Sequence, residues 1–119
     1  MSYVDGFVIP VPKRKVPAYL AMARKAKKVW MDHGAVAFVE SLADDAPWGK
    51  RTSFPRSVKM KKSETVVFSW ILYESRAHRD RVNKAVMKDK RLAKMMSPKS
   101  MPFDARRMIY GGFKVRVQA

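Results

Sequence analysis

The sequence predicts an α+β protein with the element order β-α-β-β-α-β, in which an antiparallel sheet carries both helices on one face. Three observations point to it. Residues 3–11 and 64–74 are apolar at alternating and at intervening positions, as strands covered on both sides are. Residues 13–33 and 76–90 repeat apolar side chains every three or four positions, as amphipathic helices do. Further strand-like segments at 35–45 and 106–118 complete the order of the ferredoxin-like split arrangement.

In the first strand Tyr3, Asp5, Phe7, Ile9 and Val11 share one face, and Val4, Gly6, Val8 and Pro10 the other; Pro10 and Pro12 end it. The first helix places Tyr19, Ala23, Ala26, Trp30 and His33 against the sheet and Arg24, Lys25, Lys27, Lys28 and Asp32 outside. Pro17 requires a place in its first turn, where backbone N–H groups lack helical partners. Gly34 suits a left-handed C-terminal cap. In the second strand Val36, Phe38, Glu40 and Leu42 oppose Ala37 and Val39.

Residues 46–63 show no sustained period, and connections this long in a small domain often have a function or a small structure of their own. Trp48, Phe54, Val58 and Met60 are expected to anchor this one, with residues 52–60, TSFPRSVKM, as a short edge strand. The third strand, ETVVFSWILYE, is rich in β-branched and aromatic residues. Ser75 reads as an N-cap, and the helix after it presents His78, Val82, Ala85 and Val86 inward and Arg76, Arg79, Asp80 and Arg81 to solvent. Residues 91–104, broken by Pro98 and Pro102, read as a short helix and an irregular packed segment around Leu92, Met95, Met96, Met101 and Phe103. In the last strand Ile109, Gly111, Phe113, Val115 and Val117 oppose Met108, Tyr110, Gly112, Lys114 and Arg116. The paired glycines mark a bulge or a close approach by another backbone.

Helices can cover only one face of this sheet, yet both faces of the first and third strands are apolar. A homodimer that joins two sheets face to face as a barrel answers that constraint. The 119 residues indicate one domain spanning residues 1–119. Cysteine is absent, which excludes disulfides, thiolate catalysis and cysteine-based zinc sites. No apolar run reaches the roughly 18 residues of a membrane span, and the N-terminal stretch lacks the charge order of a signal peptide. The expectation is a soluble cytoplasmic protein with no membrane partner.

The outlying property is charge: 26 Lys and Arg stand against 10 Asp and Glu, a formal net charge of +16. Such a chain adheres to nucleic acid and other polyanions at low salt. The cations are spread along the chain with no basic tail, a pattern that also fits a solvated or deliberately engineered surface.

The stretches SYVDGFVIPVPKRK (2–15), GAVAFVES (34–41), GKRTSFPRSVKMK (49–61), ETVVFSWILYESRAHRDRVNKAVM (64–87) and MPFDARRMIYGGFKV (101–115) resemble the YbaA-like family of uncharacterised proteins, within the dimeric α+β barrel superfamily. The resemblance covers nearly the whole chain. It implies the fold and dimerisation, and no established activity. Superfamily relatives include cofactor-free monooxygenases of polycyclic aromatics, haem-degrading enzymes and small isomerases or lyases, whose sites lie between the sheet and the helices of one subunit.

Candidate chemistry rests on four residues. His78, in the first turn of the second helix, is a candidate general base. Asp5 and Glu40 are carboxylates on otherwise apolar strand faces, where each must find a partner or shift its pKa upward. Arg107 is the cation expected to pair with one of them. Tyr110 is a further candidate hydroxyl. Trp70 and His78 loosely match two of the three residues of the haem-degrading relatives. The first strand, however, offers Asp5 where those relatives use asparagine, and Asn83 lies on the second helix. No spacing fits a phosphate loop, a Rossmann fingerprint or a metal site, so neither cofactor nor metal is expected. The favoured reading is a small dimeric α+β barrel that binds a small molecule between sheet and helices, with cofactor-free catalysis as an extension. The alternative is a non-enzymatic polyanion-binding module or surface-engineered scaffold.

Overall fold

The computed structural model describes residues 2–97 and 101–119. Four strands, β1 (Tyr3–Pro12), β2 (Ala37–Leu42), β3 (Glu64–Tyr73) and β4 (Ile109–Lys114), form one antiparallel sheet in the order β2-β3-β1-β4. Helix α1 (Val16–Asp32) joins β1 to β2, and helices α3 (Arg76–Met87) and α4 (Lys90–Met95) lie between β3 and β4. A 3-10 turn at Lys13–Lys15 leads into α1 and puts Pro17 in the first turn of the helix. Ser75 caps α3 by accepting the His78 backbone N–H at 3.0 Å, as the sequence anticipates. Gly34, at φ +102°, ends α1 in a conformation that favours glycine.

All the major helices pack on one face. Tyr3, Ile71 and Tyr73 meet Val29 of α1, Val82 and Val86 of α3, and Leu92 of α4. Ile9, Val11 and Val67 meet Tyr19 and Ala23 of α1. Among the described residues, only one end of the opposite face is covered. There Val58 and Met60 of the long connection pack on Val8 and Val66, and Phe54 meets Phe68 edge-on at 5.7 Å. Phe68 is still 43 % exposed beside Phe54, and beyond it Ile109 is 45 % and Phe113 61 % exposed. The third strand is thus fully covered on its helix face only.

Three segments depart from expectation. Residues 52–60 do not form an edge strand. Phe54–Ser57 is a helical turn, α2, with Ser53 accepting from the Arg56 N–H at 3.2 Å and Pro55 in its first turn. A proline has no N–H for a sheet ladder, whereas in a first turn none is needed. The last strand is shorter than 106–118. A 3-10 turn at Ala105–Arg107, capped by Asp104, precedes it. The strand runs from Ile109 to Lys114, and just past it the Val115 N–H donates to the Ser2 carbonyl at 2.9 Å. Of the proline breaks expected after α4, Pro98 lies outside the described residues.

The paired glycines also differ from expectation, because the close approach is by a side chain. A β-carbon on Gly112 would stand 2.7 Å from Cε2 and 2.9 Å from Cζ of Tyr3. Gly112→Ala should therefore lower stability by about 1–3 kcal/mol through overpacking. In a Tyr3→Ala background the same change should cost much less. A denaturant-melt double-mutant cycle checks this; equal costs in both backgrounds exclude the Tyr3 contact as the cause.

Candidate functional site

Three polar side chains of the helix-facing floor of the sheet meet at one place among apolar ones: Asp5 on β1, Ser69 on β3 and Glu40 on β2. They line a cleft of about 440 Å³ between the sheet and the helices. Phe7, Trp30 and Phe38 supply aromatic wall, and Met95, Phe103 and Met108 close it from the segments after α3. Asp5 faces Ile71, and Glu40 faces Ser69, across β3. Strand spacings put their Cα atoms roughly 12 Å apart. Each carboxyl therefore acts with its own partners, and the two are too distant to share a proton.

Asp5 is 6 % exposed. Arg79 of α3 donates to it at 2.7 Å, while its Nε reaches Asp80 at 2.8 Å. The same guanidinium lies over the Tyr3 ring, 4.9 Å from its centre. Asn83, one turn further on, lies beside Asp5 and pulls its pKa down, and its carbonyl oxygen accepts from Tyr73 Oη at 3.2 Å and Trp30 Nε1 at 3.3 Å. Burial raises the Asp5 carboxyl above the ordinary carboxylate value, against the lowering pull of Arg79 and Asn83. On the far side of the cleft Tyr19 Oη donates to Glu40 at 2.7 Å. Burial raises Glu40 too, opposed by that hydrogen bond. Both phenols, Tyr19 and Tyr73, are pushed up by burial and by the neighbouring carboxylates, so they stay protonated and donate.

The four residues singled out from sequence separate into two groups. Asp5 and Glu40 come together in the cleft. His78 and Arg107 do not join them. His78 is half-buried at the start of α3; its Nδ1 accepts the Glu74 N–H at 3.0 Å and its ring meets Tyr73 edge-on at 6.0 Å. The bond places the proton of the neutral ring on Nε2. Arg107 binds Glu64 through two bonds, at 2.8 and 2.6 Å, reaches Asp104 at 3.2 Å, and donates to the Val58 and Lys59 carbonyls. That clamp ties the start of β3 to the turn before β4. It holds Glu64 below its ordinary value through the Arg107 hydrogen bonds.

Arg79 corrects the reading of α3. It is not on the solvent side: its side chain is 20 % exposed and faces the cleft, and it also pairs with Asp80. The inward stripe is Arg79, Val82, Asn83 and Val86. Sequence reasoning missed Arg79 and Asn83 as site residues. The signal was Asp5 itself, since a buried carboxylate requires a donor from whatever helix covers it. Tyr110, 73 % exposed, stacks on Phe7 with ring centres 6.1 Å apart at the cleft's edge. Trp70 lies on the open face, paired between Gly6 and Val39. Among the described residues no three His, Asp or Glu side chains cluster as a metal site needs, and no helix is long and apolar enough to cross a membrane.

The molecule is thus an α+β protein whose antiparallel sheet floors a cleft with two partnered carboxyls. Residues 2–105 match the family described as "Protein of unknown function (DUF1428)", and the chain belongs to that family. It is 49 % identical over 114 residues to "Uncharacterized protein YbaA" of Escherichia coli strain K12, an alignment covering 96 % of each chain. The protein of the same name from Shigella flexneri matches to the same extent. A solved structure, "De novo designed protein Foldit4", aligns over 98 % of this chain and 100 % of its own at 10 % identity and a TM-score of 0.45, which carries no argument.

The direction of the Glu40 shift sets a pH dependence. A raised pKa means that the folded chain holds this proton more tightly than the unfolded chain. Stability from Glu40 is then fully present below the unfolded value and is lost as pH rises through the folded one. Glu40→Gln keeps an acceptor for Tyr19 and never ionises. Between pH 4 and pH 8 its stability relative to wild type should therefore rise. Urea melts across that range check it; a difference independent of pH contradicts the assignment.

Proposed function

We propose that the cleft between sheet and helices binds a small molecule. The observation that carries the reading is the cleft itself: about 440 Å³, walled mainly by apolar and aromatic side chains, with a few fixed polar groups on a rigid sheet. That is the usual make-up of a small-molecule site. Its polar groups are oriented in advance. Tyr19 fixes Glu40, and Arg79 fixes Asp5. Within this reading Glu40, raised by burial and bonded to a protonated phenol, is the group positioned to exchange a proton with a bound molecule. This would be catalysis by side chains alone. The polyanion reading draws only on the net charge of +16 and stands second for that reason.

A screen of uncharged aromatic and aliphatic fragments by thermal shift, followed by crystallography of the hits, tests the cleft. Fragments that raise the wild-type Tm should occupy it, and Ala26→Phe, which fills the α1 wall, should abolish their effect. Hits bound elsewhere, or unaffected by that substitution, overturn the reading.

We further propose that the chain is ferredoxin-like in the full sense and pairs through the open face of its sheet as a dimeric α+β barrel. The strand order β2-β3-β1-β4 and the exposed Phe68, Ile109 and Phe113 around Trp70 support this. Sedimentation at micromolar concentration should give twice the 13.7 kDa chain mass. Phe68→Lys with Phe113→Lys should sediment as a monomer. A wild-type monomer refutes the pairing.

A further inference from the structure

A second concavity, of about 450 Å³, lies outside the cleft, between α1 and α4. Its rim is cationic, with Lys25 and Lys28 from α1 and Arg91 and Lys94 from α4. Arg91 is already neutralised by Asp32 at 2.8 Å and Asp89 at 2.8 Å. Among the described residues, the other three cations are in no ion pair. The bottom of the groove is apolar and contains Met22 and Met95, and both side chains also line the cleft. The two spaces therefore abut across a wall of thioethers, the most adaptable of apolar side chains.

A groove with three uncompensated ammonium groups above an apolar floor does not suit a metal ion or a neutral sugar. It suits an anionic head joined to an apolar body. We propose that this groove is the head-group site for an organic acid whose apolar chain passes Met22 and Met95 into the cleft. The proposal rests on the cleft being a binding site, and names the class of molecule it takes. The head is a carboxylate, sulfate or phosphate monoester, held by Lys25, Lys28 and Lys94. The chain lies along Met95 and Trp30, and its far end reaches Glu40 and the Tyr19 hydroxyl. The net positive charge at the mouth also concentrates such anions from solution.

Decanoate and 1-decanol separate the head from the chain. Both are titrated below micelle concentrations into protein labelled at its methionine methyl carbons, and the Met22 and Met95 signals are followed. Decanoate should shift both signals. Its dissociation constant should rise roughly fivefold in the double variant Lys25→Gln with Lys94→Gln, as expected for the loss of two exposed charge contacts, and should rise with salt in the wild type. Decanol should bind both proteins equally. Both lysines are exposed, and glutamine is a comparable helix former, so the variant keeps its fold. If the double variant binds decanoate as tightly as wild type, the head-group site is overturned while the cleft stands. The same conclusion follows if decanol alone shifts the methyl signals. If neither compound moves them, both readings fall. Depletion of the protein by phosphatidylglycerol vesicles, without a response to free decanoate, assigns the groove to a lipid surface and overturns the proposal.

Discussion

Everything in this molecule follows from a mismatch between one helical layer and a sheet with two apolar faces. Burying both faces of β1 and β3 is the main source of stability such a sheet can offer, at roughly 25 cal/mol per Å² of apolar surface removed from water. The helices α1, α3 and α4 satisfy only one side. The long connection between β2 and β3 covers one end of the other side through Val58, Met60 and Phe54. What is left exposed is a contiguous aromatic and aliphatic surface. Monomeric proteins rarely keep such a surface open without a use for it.

On the covered side the packing is deliberately incomplete. Asp5, Ser69 and Glu40 interrupt a mainly apolar stretch of the floor, and helical side chains cannot close over them without meeting a polar group. The helices answer with donors: Arg79 from α3 and Tyr19 from α1. Each bond sets the position of a helix above the sheet, and between these fixed points the cleft remains. Replacing such buried pairs with hydrophobic residues is often neutral or stabilising. Their retention here is therefore better understood as shaping the cleft than as strengthening the fold. The Arg107–Glu64 pair is of the other kind. It gathers the starts of two strands and two loop carbonyls at one point, away from the cleft.

How much of this could be read from sequence depended on the range of the interaction. Period-2 and period-3.6 patterns placed the main strands and helices, and local capping chemistry placed Ser75 and Gly34, because these are decided by neighbours within a few residues. The same kind of signal was available but misread at residues 52–60, where Ser53 and Pro55 specify a helical turn. On α3 the two-valine stripe of Val82 and Val86 fits inward positions at either 78 or 79, since both lie one turn before Val82. A phase difference of one residue exchanged His78 for Arg79, and with it the assignment of the site.

The sequence by itself determined the order of elements, the sidedness of the sheet, the membership of the family and the fact that Asp5 and Glu40 need partners. Only the tertiary structure decided which partners they have. Arg79 lies 74 residues from Asp5 along the chain, and Tyr19 lies 21 from Glu40. Several donors along the chain carry suitable chemistry, Arg107 among them. The choice falls to whichever side chain the packed helices bring within hydrogen-bonding distance, and helix phase and loop length set that in three dimensions. The tertiary structure also placed the basic groove against the Met22–Met95 wall, a juxtaposition of two helices that no local pattern encodes.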